Sequence, residues 1–291
     1  MSNLEKAVIG SILQDKYVLG LHWIYDTDKV LALFNENESA FEVQKDSFHN
    51  NKKKGDLTHY GDLTLWFMSY LHTQKEPDVS TFYMAFVLWM DNYKGYKDHA
   101  MKMVYNNIKD GRFAGSDSSE LGGLCKIGPI LKKYEQQPNL AKLYAIAFTK
   151  ATHDHPLPVS LASYFTDVVY AINQGMTIEE ALNHYINTMP MNIVELFMLA
   201  KDTLDLDPVG AIKKLGQACP SEMAFPSVIY LLLKFKNDLA SIQRFNALAG
   251  GDSAARGMIL GLILGASGIV IESDLSTLNR KNEIVSLIKT L

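Results

Sequence analysis

Only two cysteines occur in the 291 residues, Cys125 and Cys219, far apart and without Cys-x-x-Cys spacing. Their scarcity excludes a disulfide framework or a zinc knuckle and matches a reducing compartment. A surplus of one charge is missing too: 28 basic residues stand against 32 acidic ones, a net charge of -4, so there is no general attraction to nucleic acid or to an anionic membrane surface. The one basic run, Lys52-Lys53-Lys54, sits between Asn50-Asn51 and Gly55 and reads as a solvated loop. The apolar run from Gly257 to Val270 falls short of the ~20 residues that a spanning helix needs. The opening Met-Ser-Asn-Leu-Glu-Lys lacks the basic flank and apolar segment of a secretory signal. No stretch alternates β-branched and polar residues as strands do. These absences predict a cytoplasmic, all-α protein. Apolar residues at 47% and charged ones at 21% allow a sizeable core, and nothing divides residues 1–291 into more than one domain.

What is present is concentrated near the end, in Asn246-Ala-Leu-Ala-Gly-Gly-Asp-Ser-Ala-Ala-Arg-Gly-Met-Ile-Leu-Gly-Leu-Ile-Leu-Gly-Ala266. A tight Gly250-Gly251 turn delivers Asp252 and Ser253 to the start of a helix that is apolar or glycine on nearly every face. Such a helix must be buried, so its free backbone N–H groups and one carboxylate converge inside the molecule, where an anion or a cation-bound ligand can be held. Gly257, Gly261 and Gly265 recur every fourth residue and form a ridge that lets another backbone approach closely.

Toward the other end, Ser2-Asn-Leu-Glu5 is a capping box that opens a first helix carrying Asp15 and Lys16. It runs into Leu19-Gly-Leu-His-Trp-Ile-Tyr-Asp26, where His22, Trp23 and Tyr25 either stack on a ligand or plug the helix end. Residues 35–60 read as a long loop. Asp62 then stands at or near a helix start, where an N-cap is the ordinary role of such a residue. Helical patterns follow over 80–96 and 99–110. The loop 115–123 offers hydroxyls from Ser116, Ser118 and Ser119 and close backbone approach at Gly122 and Gly123, before a helix over 124–134. Thr152-His-Asp-His-Pro156 joins two helices; its two histidines invite a metal but find no third ligand. Further helices are predicted over 156–174, 177–185, 191–204, 208–215, 225–235, 238–248 and from about 281.

The run Gly-Gly-Asp-Ser-Ala-Ala-Arg-Gly-Met-Ile-Leu-Gly-Leu-Ile-Leu-Gly-Ala resembles the C-terminal signature of the ADP-ribosylglycohydrolase family, Gly-Gly-Asp-Thr-Asp-Thr followed by a small-residue helix. Gln14-Asp15-Lys16 through Gly20 resembles that family's Gly-Asp-Ala-Leu-Gly, with Ile24 or thereabouts in the glutamate position. Leu121-Gly-Gly-Leu-Cys-Lys-Ile-Gly-Pro129 resembles Gly-Asn-Gly-Ala-Met-Arg-x-x-Pro, with Lys126 for arginine. The form of residues 19–26 is similar to a divergent branch related to the jellyfish J-type crystallins.

The resemblance implies a compact multi-helix domain that cleaves an N- or O-glycosidic bond to ADP-ribose, with magnesium ions gripping ribose and water. Its Thr-Asp-Asp-Thr motif is matched at Asp62 and Thr64 but not at Gly61 and Leu63. Asp252 and Ser253 match the last motif, while Leu63, Ala254 and Ala255 stand where other ligands belong. The metal set is then Asp62, Thr64 and Asp252, sufficient for at most one magnesium ion. Lys16 or Arg256 could replace a lost cation, Arg256 by pairing with Asp252 four residues before it. Asp62 is the first candidate for the water-activating base and Asp252 the second. Asp15, His22, Trp23, Tyr25, Ser116, Gly122, Gly123, Gly250, Gly251 and Ser253 would line the site for small-molecule or protein-linked ADP-ribose. The alternative is a silent relative, either an ADP-ribose or nucleotide binder or a structural protein of the crystallin kind.

Overall fold

The computed structural model describes residues 1–270 and 272–291. Its α-helices are α1 (Asn3–Val18), α2 (Thr27–Leu33), α3 (His59–Thr73), α4 (Val79–Asn92), α5 (His99–Lys109), α6 (Ile127–Lys133), α7 (Pro138–Lys150), α8 (Pro156–Asn173), α9 (Ile178–Ile186), α10 (Met191–Asp202), α11 (Pro208–Leu215), α12 (Ser221–Phe235), α13 (Leu239–Leu248), α14 (Ser253–Ala266) and α15 (Lys281–Thr290). Among the described residues there is no strand, only two isolated bridges, and no helix is long and apolar enough to cross a membrane.

All residues of α14 are buried, as its composition demands. The predicted glycine ridge lies against α1. A Cβ on Gly261 would stand 2.2 Å from the Gly10 carbonyl oxygen, and one on Gly265 would stand 2.3 Å from that of Lys6. Backbone meets backbone there because α14 carries no side chain at either contact, and at the Gly10–Gly261 crossing neither helix does. Around this pair, α8, α12 and α13 pack on α14, while α3, α6 and α15 pack on α1. The predicted capping box of Ser2 with Glu5 is formed, and Thr177 with Glu180 makes a second one on α9.

Four segments differ from what the sequence predicts. Helix α3 starts at His59, with Thr58 as its cap, so Asp62 lies in its first turn, near the start as expected, but does not cap it. Helix α4 ends at Asn92, which frees Tyr93 and Tyr96 to turn inward. Helix α12 begins at Ser221, a turn before the predicted 225, and carries Pro226 inside it, where the missing N–H removes one bond of the ladder. The predicted helix over 124–134 is a 3-10 turn, Leu121–Leu124, followed by α6.

Candidate active site

The Gly250-Gly251 turn forms as expected, both glycines in the left-handed region at φ 66° and 64°. They are needed for packing: added Cβ atoms would lie 2.3 Å from the Ile24 carbonyl oxygen and 2.2 Å from that of Gln217. Trp23 N–H donates to the Gly251 carbonyl and Gly251 N–H to that of Ile24, each at 2.8 Å, which pins the aromatic segment against the turn. Asp252 is fully buried and caps α14, accepting from Ala255 N–H at 3.2 Å. Burial raises its carboxyl, with Arg256 and the backbone pulling it back.

Arg256 does not make the direct pair with Asp252 that the i,i+4 spacing suggested. Its guanidinium donates to Asn246 Oδ1 (3.1 Å) and to the carbonyls of Gln217 (3.2 Å) and Gly250 (2.5 Å), locking the turn from behind. Lys16 does not approach Asp15 or Asp62 either. It donates to the Asp274 carbonyl and the Thr277 hydroxyl, and burial lowers its ammonium to about 8. Neither cation occupies the position of a lost metal.

The start of α3 supplies what the sequence reading sought one turn later. Thr58 donates its N–H (2.8 Å) and hydroxyl (2.5 Å) to the buried Asp15 carboxylate, whose carboxyl is raised to about 6, burial outweighing the Thr58 bonds. Next in line, His59 is fully buried. Its Nδ1 lies 3.1 Å from His49 Nε2 and its Nε2 lies 3.2 Å from Asp98 Oδ2. Tyr60 donates its hydroxyl to Asp252 at 3.4 Å. His22 Nδ1 accepts the Ala254 N–H at 3.4 Å, so it carries no proton there, and burial holds the ring neutral. Its 3.7 Å approach to Asp252 is therefore not an ion pair. His22 stacks on Trp23 at 4.4 Å, and at the rim Trp23 meets Phe48 and Tyr96 edge to face while those two rings are tilted at 58° to each other. Trp23 itself holds φ 64°, a strained setting for a large side chain. Tyr25 is 47% exposed beside it. His22 Nε2, Trp23 Nε1, His153 Nε2 and Ser253 Oγ are buried without a hydrogen-bond partner.

The structure does not bring Asp62, Thr64 and Asp252 together. Residues two apart on a helix point to different sides. Thr64 donates its hydroxyl to the carbonyls of Tyr60 and Cys125, whereas Asp62 accepts from Lys52 Nζ at 2.5 Å and the Tyr93 hydroxyl at 2.7 Å. Lys52, read from sequence as part of a solvated run, is thus a partly buried ion-pair partner.

The hydroxyl-rich loop is built in and not free. Ser116 is buried, donates its hydroxyl to the Thr152 carbonyl at 2.7 Å, and exchanges backbone bonds with Thr152 and Asp154. Gly122 makes room for the Tyr60 ring and Gly123 for His153, so these glycines accommodate side chains of the protein. Lys126 is buried on the Gly123 carbonyl and the Thr152 hydroxyl, its ammonium lowered by burial to about 7. His155 caps α8 through Nδ1, whereas His153 is buried against Gly123 with its Nδ1 3.0 Å from the Thr152 hydroxyl.

Glu120, between this loop and Leu121, was not singled out by sequence, because a lone glutamate beside serines carries no motif. It is only partly buried and its backbone is bridged to Pro220. Its carboxyl is raised to about 7 by burial and by the charges of Asp98 and Asp252. In Asp98, burial pushes the carboxyl up, but the bonds from His59 and from Met101 N–H outweigh it and hold it below its usual value.

Magnesium requires several hard oxygen ligands in near-octahedral order. Set on the observed helix start, the Thr-Asp-Asp-Thr pattern falls on Thr58-His59-Tyr60-Gly61, an imidazole and a phenol where carboxylates are needed. Among the described residues no group of three His, Cys, Asp or Glu side chains could hold a metal ion. The residues present do not fit the ion.

The fold is an all-α domain in which a buried, glycine-ridged helix carries Asp252 as its acidic cap toward the start of α3. The ADP-ribosylglycohydrolase family model matches residues 5–271, and the chain belongs to that family, whose members are hydrolases of ADP-ribosylated substrates. A solved structure described as an ADP-ribosylglycohydrolase-related protein complex superposes with TM-score 0.72 at 16% identity, covering 99% of this chain and 96% of its own. That likeness establishes the fold. No curated protein matches the chain.

Proposed function

We propose that this protein hydrolyses a glycosidic bond to ADP-ribose, N- or O-linked, through a site that works without magnesium. The observation that carries the reading is His59. The His59 backbone N–H points to His49 Nε2 at 3.4 Å, which makes that nitrogen an acceptor. His59 Nδ1 therefore carries a proton toward the same atom, and its Nε2 faces the Asp98 carboxylate at 3.2 Å. His59 thus stands between the His49 ring and the Asp98 carboxylate. Its side chain draws the carboxyls of Asp15, Asp98, Glu120 and Asp252 downward, so a group of the chain itself faces the acids that a metal would otherwise face.

Glu120, at the rim and protonated near neutrality, is the general acid: as the bond from the anomeric carbon to the leaving atom breaks, its proton passes to that atom. The Asp252 carboxylate stabilises the oxocarbenium character of the sugar. Water adds to the anomeric carbon and surrenders a proton to Glu120, restoring the acid. The rim formed by Trp23, Tyr25, Phe48 and Tyr96 offers an apolar seat for a flat base.

The test is release of ADP-ribose from ADP-ribosylated arginine and serine peptides, followed by mass spectrometry in EDTA and in magnesium. Equal turnover in both is expected. Glu120→Gln should cost about 100-fold or more, and wild-type kcat should fall as pH rises through about 7, where Glu120 loses its proton. Turnover only with magnesium, or an unimpaired Glu120→Gln, overturns the reading. A second reading, ADP-ribose binding without turnover, is favoured by the tight seating of Tyr60 on Gly122, which fills the deep end of the site. Calorimetric binding with no release in either buffer would select it.

A further inference from the structure

On the flank of α3, a cavity of about 490 Å³ opens between the loop around Lys52, the turn after α4 and the start of α15. It lies apart from the His59 cluster, and Asp62 belongs to it. The cavity is a built one. Gly95 is required because a Cβ there would strike the Tyr93 hydroxyl at 2.2 Å, the same hydroxyl that donates to Asp62. Gly55, at φ 88°, admits the Thr277 carbonyl at 2.4 Å from its would-be Cβ. Asn279 Nδ2 closes the wall by donating to Asp56 Oδ1 (2.9 Å) and the Lys54 carbonyl (3.1 Å). Lys52 and Tyr93 both converge on Asp62 Oδ2, which leaves Oδ1 without a protein donor among the described residues.

The lining narrows the ligand by elimination. Trp66, Trp89 and Tyr93 form a continuous ladder, with ring centroids 5.0 Å and 4.6 Å apart and planes 19° and 27° from parallel. Trp89 is therefore stacked on both neighbours, and a nucleobase finds no open face on it. Asp56 and Asp62 oppose a phosphate; Lys52, Lys94 and Arg280 oppose a metal ion. Two of the three cations are already engaged, Lys52 with Asp62 at 2.5 Å inside the cavity and Arg280 with Glu283 outside its lining through two bonds of 2.7 and 2.6 Å. What such a wall accepts is a neutral ligand whose groups both donate and accept, which is the property of a hydroxyl. The indole edges supply the apolar part of the contact, and the volume is within the range of small-molecule sites.

We propose that this cavity is a second site, for a neutral polyhydroxylated ligand of sugar or cyclitol type, with Asp62, Lys52 and Tyr93 as its polar floor. Asp62 is then a binding residue of this site and not the base of the other.

The experiment is saturation-transfer NMR of the full chain with D-ribose, D-glucose and myo-inositol, together with tryptophan fluorescence, since Trp66 and Trp89 line the cavity. At least one of the three should bind. Binding should weaken about tenfold, the loss of one such hydrogen-bonding partner, in Asp62→Asn, and it should vanish in Ser69→Trp, which fills the cavity. Glu120→Gln should bind as wild type does, so failure of the hydrolase reading leaves this one standing. Circular dichroism and thermal midpoints of the variants confirm that they fold. No binding by any of the three ligands, displacement of a bound ligand by inorganic phosphate, or binding intact in folded Ser69→Trp would overturn the proposal.

Discussion

Arg256 shows how a single residue is reassigned by its surroundings. On a helical wheel it belongs to Asp252; in the fold, its guanidinium holds the carbonyls that the Gly250-Gly251 turn leaves pointing inward. Removing it strands those acceptors in a buried place. We expect Arg256→Met to destabilise the protein by about 3 kcal/mol in urea titration, the range for breaking a buried, hydrogen-bonded charge. If Arg256 instead served chiefly as the Asp252 partner, Asp252→Asn would rescue much of that loss, and no such rescue is expected. His49 gives a residue-scale test with a sign. Burial, followed by the charges of His59 and Lys52, lowers its ring to about 3. The unfolded chain takes up this proton near 6.5 and the folded one does not, so its contribution to stability is present above 6.5 and is lost as pH falls. His49→Gln should reduce the slope of stability against pH between about 4 and 6 by up to ~1.4 kcal/mol per unit; an unchanged slope would contradict the burial of a neutral ring.

Between elements, the decisive contact is the crossing of α1 and α14. Gly261 stands against a backbone carbonyl, not a side chain that could rotate away. A single methyl must push two central helices apart, and both carry the site: α1 holds Asp15 and α14 is capped by Asp252. Gly261→Ala should therefore cost about 3 kcal/mol, the upper range for overpacking, and should lower ADP-ribose release together with stability. A well-folded Gly261→Ala with a wild-type urea midpoint would mean that the crossing is looser than the 2.2 Å approach implies. Helix α3 shows the opposite case, in which a cap one turn before Asp62 exchanges the chemistry at the site. Thr58 and not Asp62 caps it, so an imidazole and a phenol arrive where a carboxylate was sought.

For the molecule as a whole, the histidines and the raised carboxyls pull in opposite directions. His22, His49 and His153 lose stability as pH falls, whereas Asp15 and Glu120, raised to about 6 and 7, contribute stability that is present at low pH and lost as pH rises through those values. The cluster is thus balanced around neutrality by groups of the chain itself. A ligand that binds only the folded state raises the thermal midpoint with its concentration. With no fitting ligand set, millimolar magnesium after EDTA treatment should move the midpoint by less than about 1 °C; a rise that scales with magnesium would reveal a site that His59 does not replace.

Local composition and spacing suffice for the helical architecture, the burial of α14, its glycine ridge and the turn that presents Asp252. Each of these follows from local composition and spacing, because a helix apolar on every face has only one place to go and glycines four apart have only one use for their missing side chains. The resemblance to the family was legible for the same reason: its strongest motif is a packing motif as much as a chemical one. Which charges meet depends on how the helices pack. His49, His59, Asp98, Glu120 and Asp252 come from five segments up to about 200 residues apart, and no spacing rule joins residues across that distance. Nor could spacing show that Lys52 reaches Asp62, or that Lys16 and Arg256 turn to backbone carbonyls. Long side chains go where the nearest desolvated partner lies, and that partner exists only once the helices are packed.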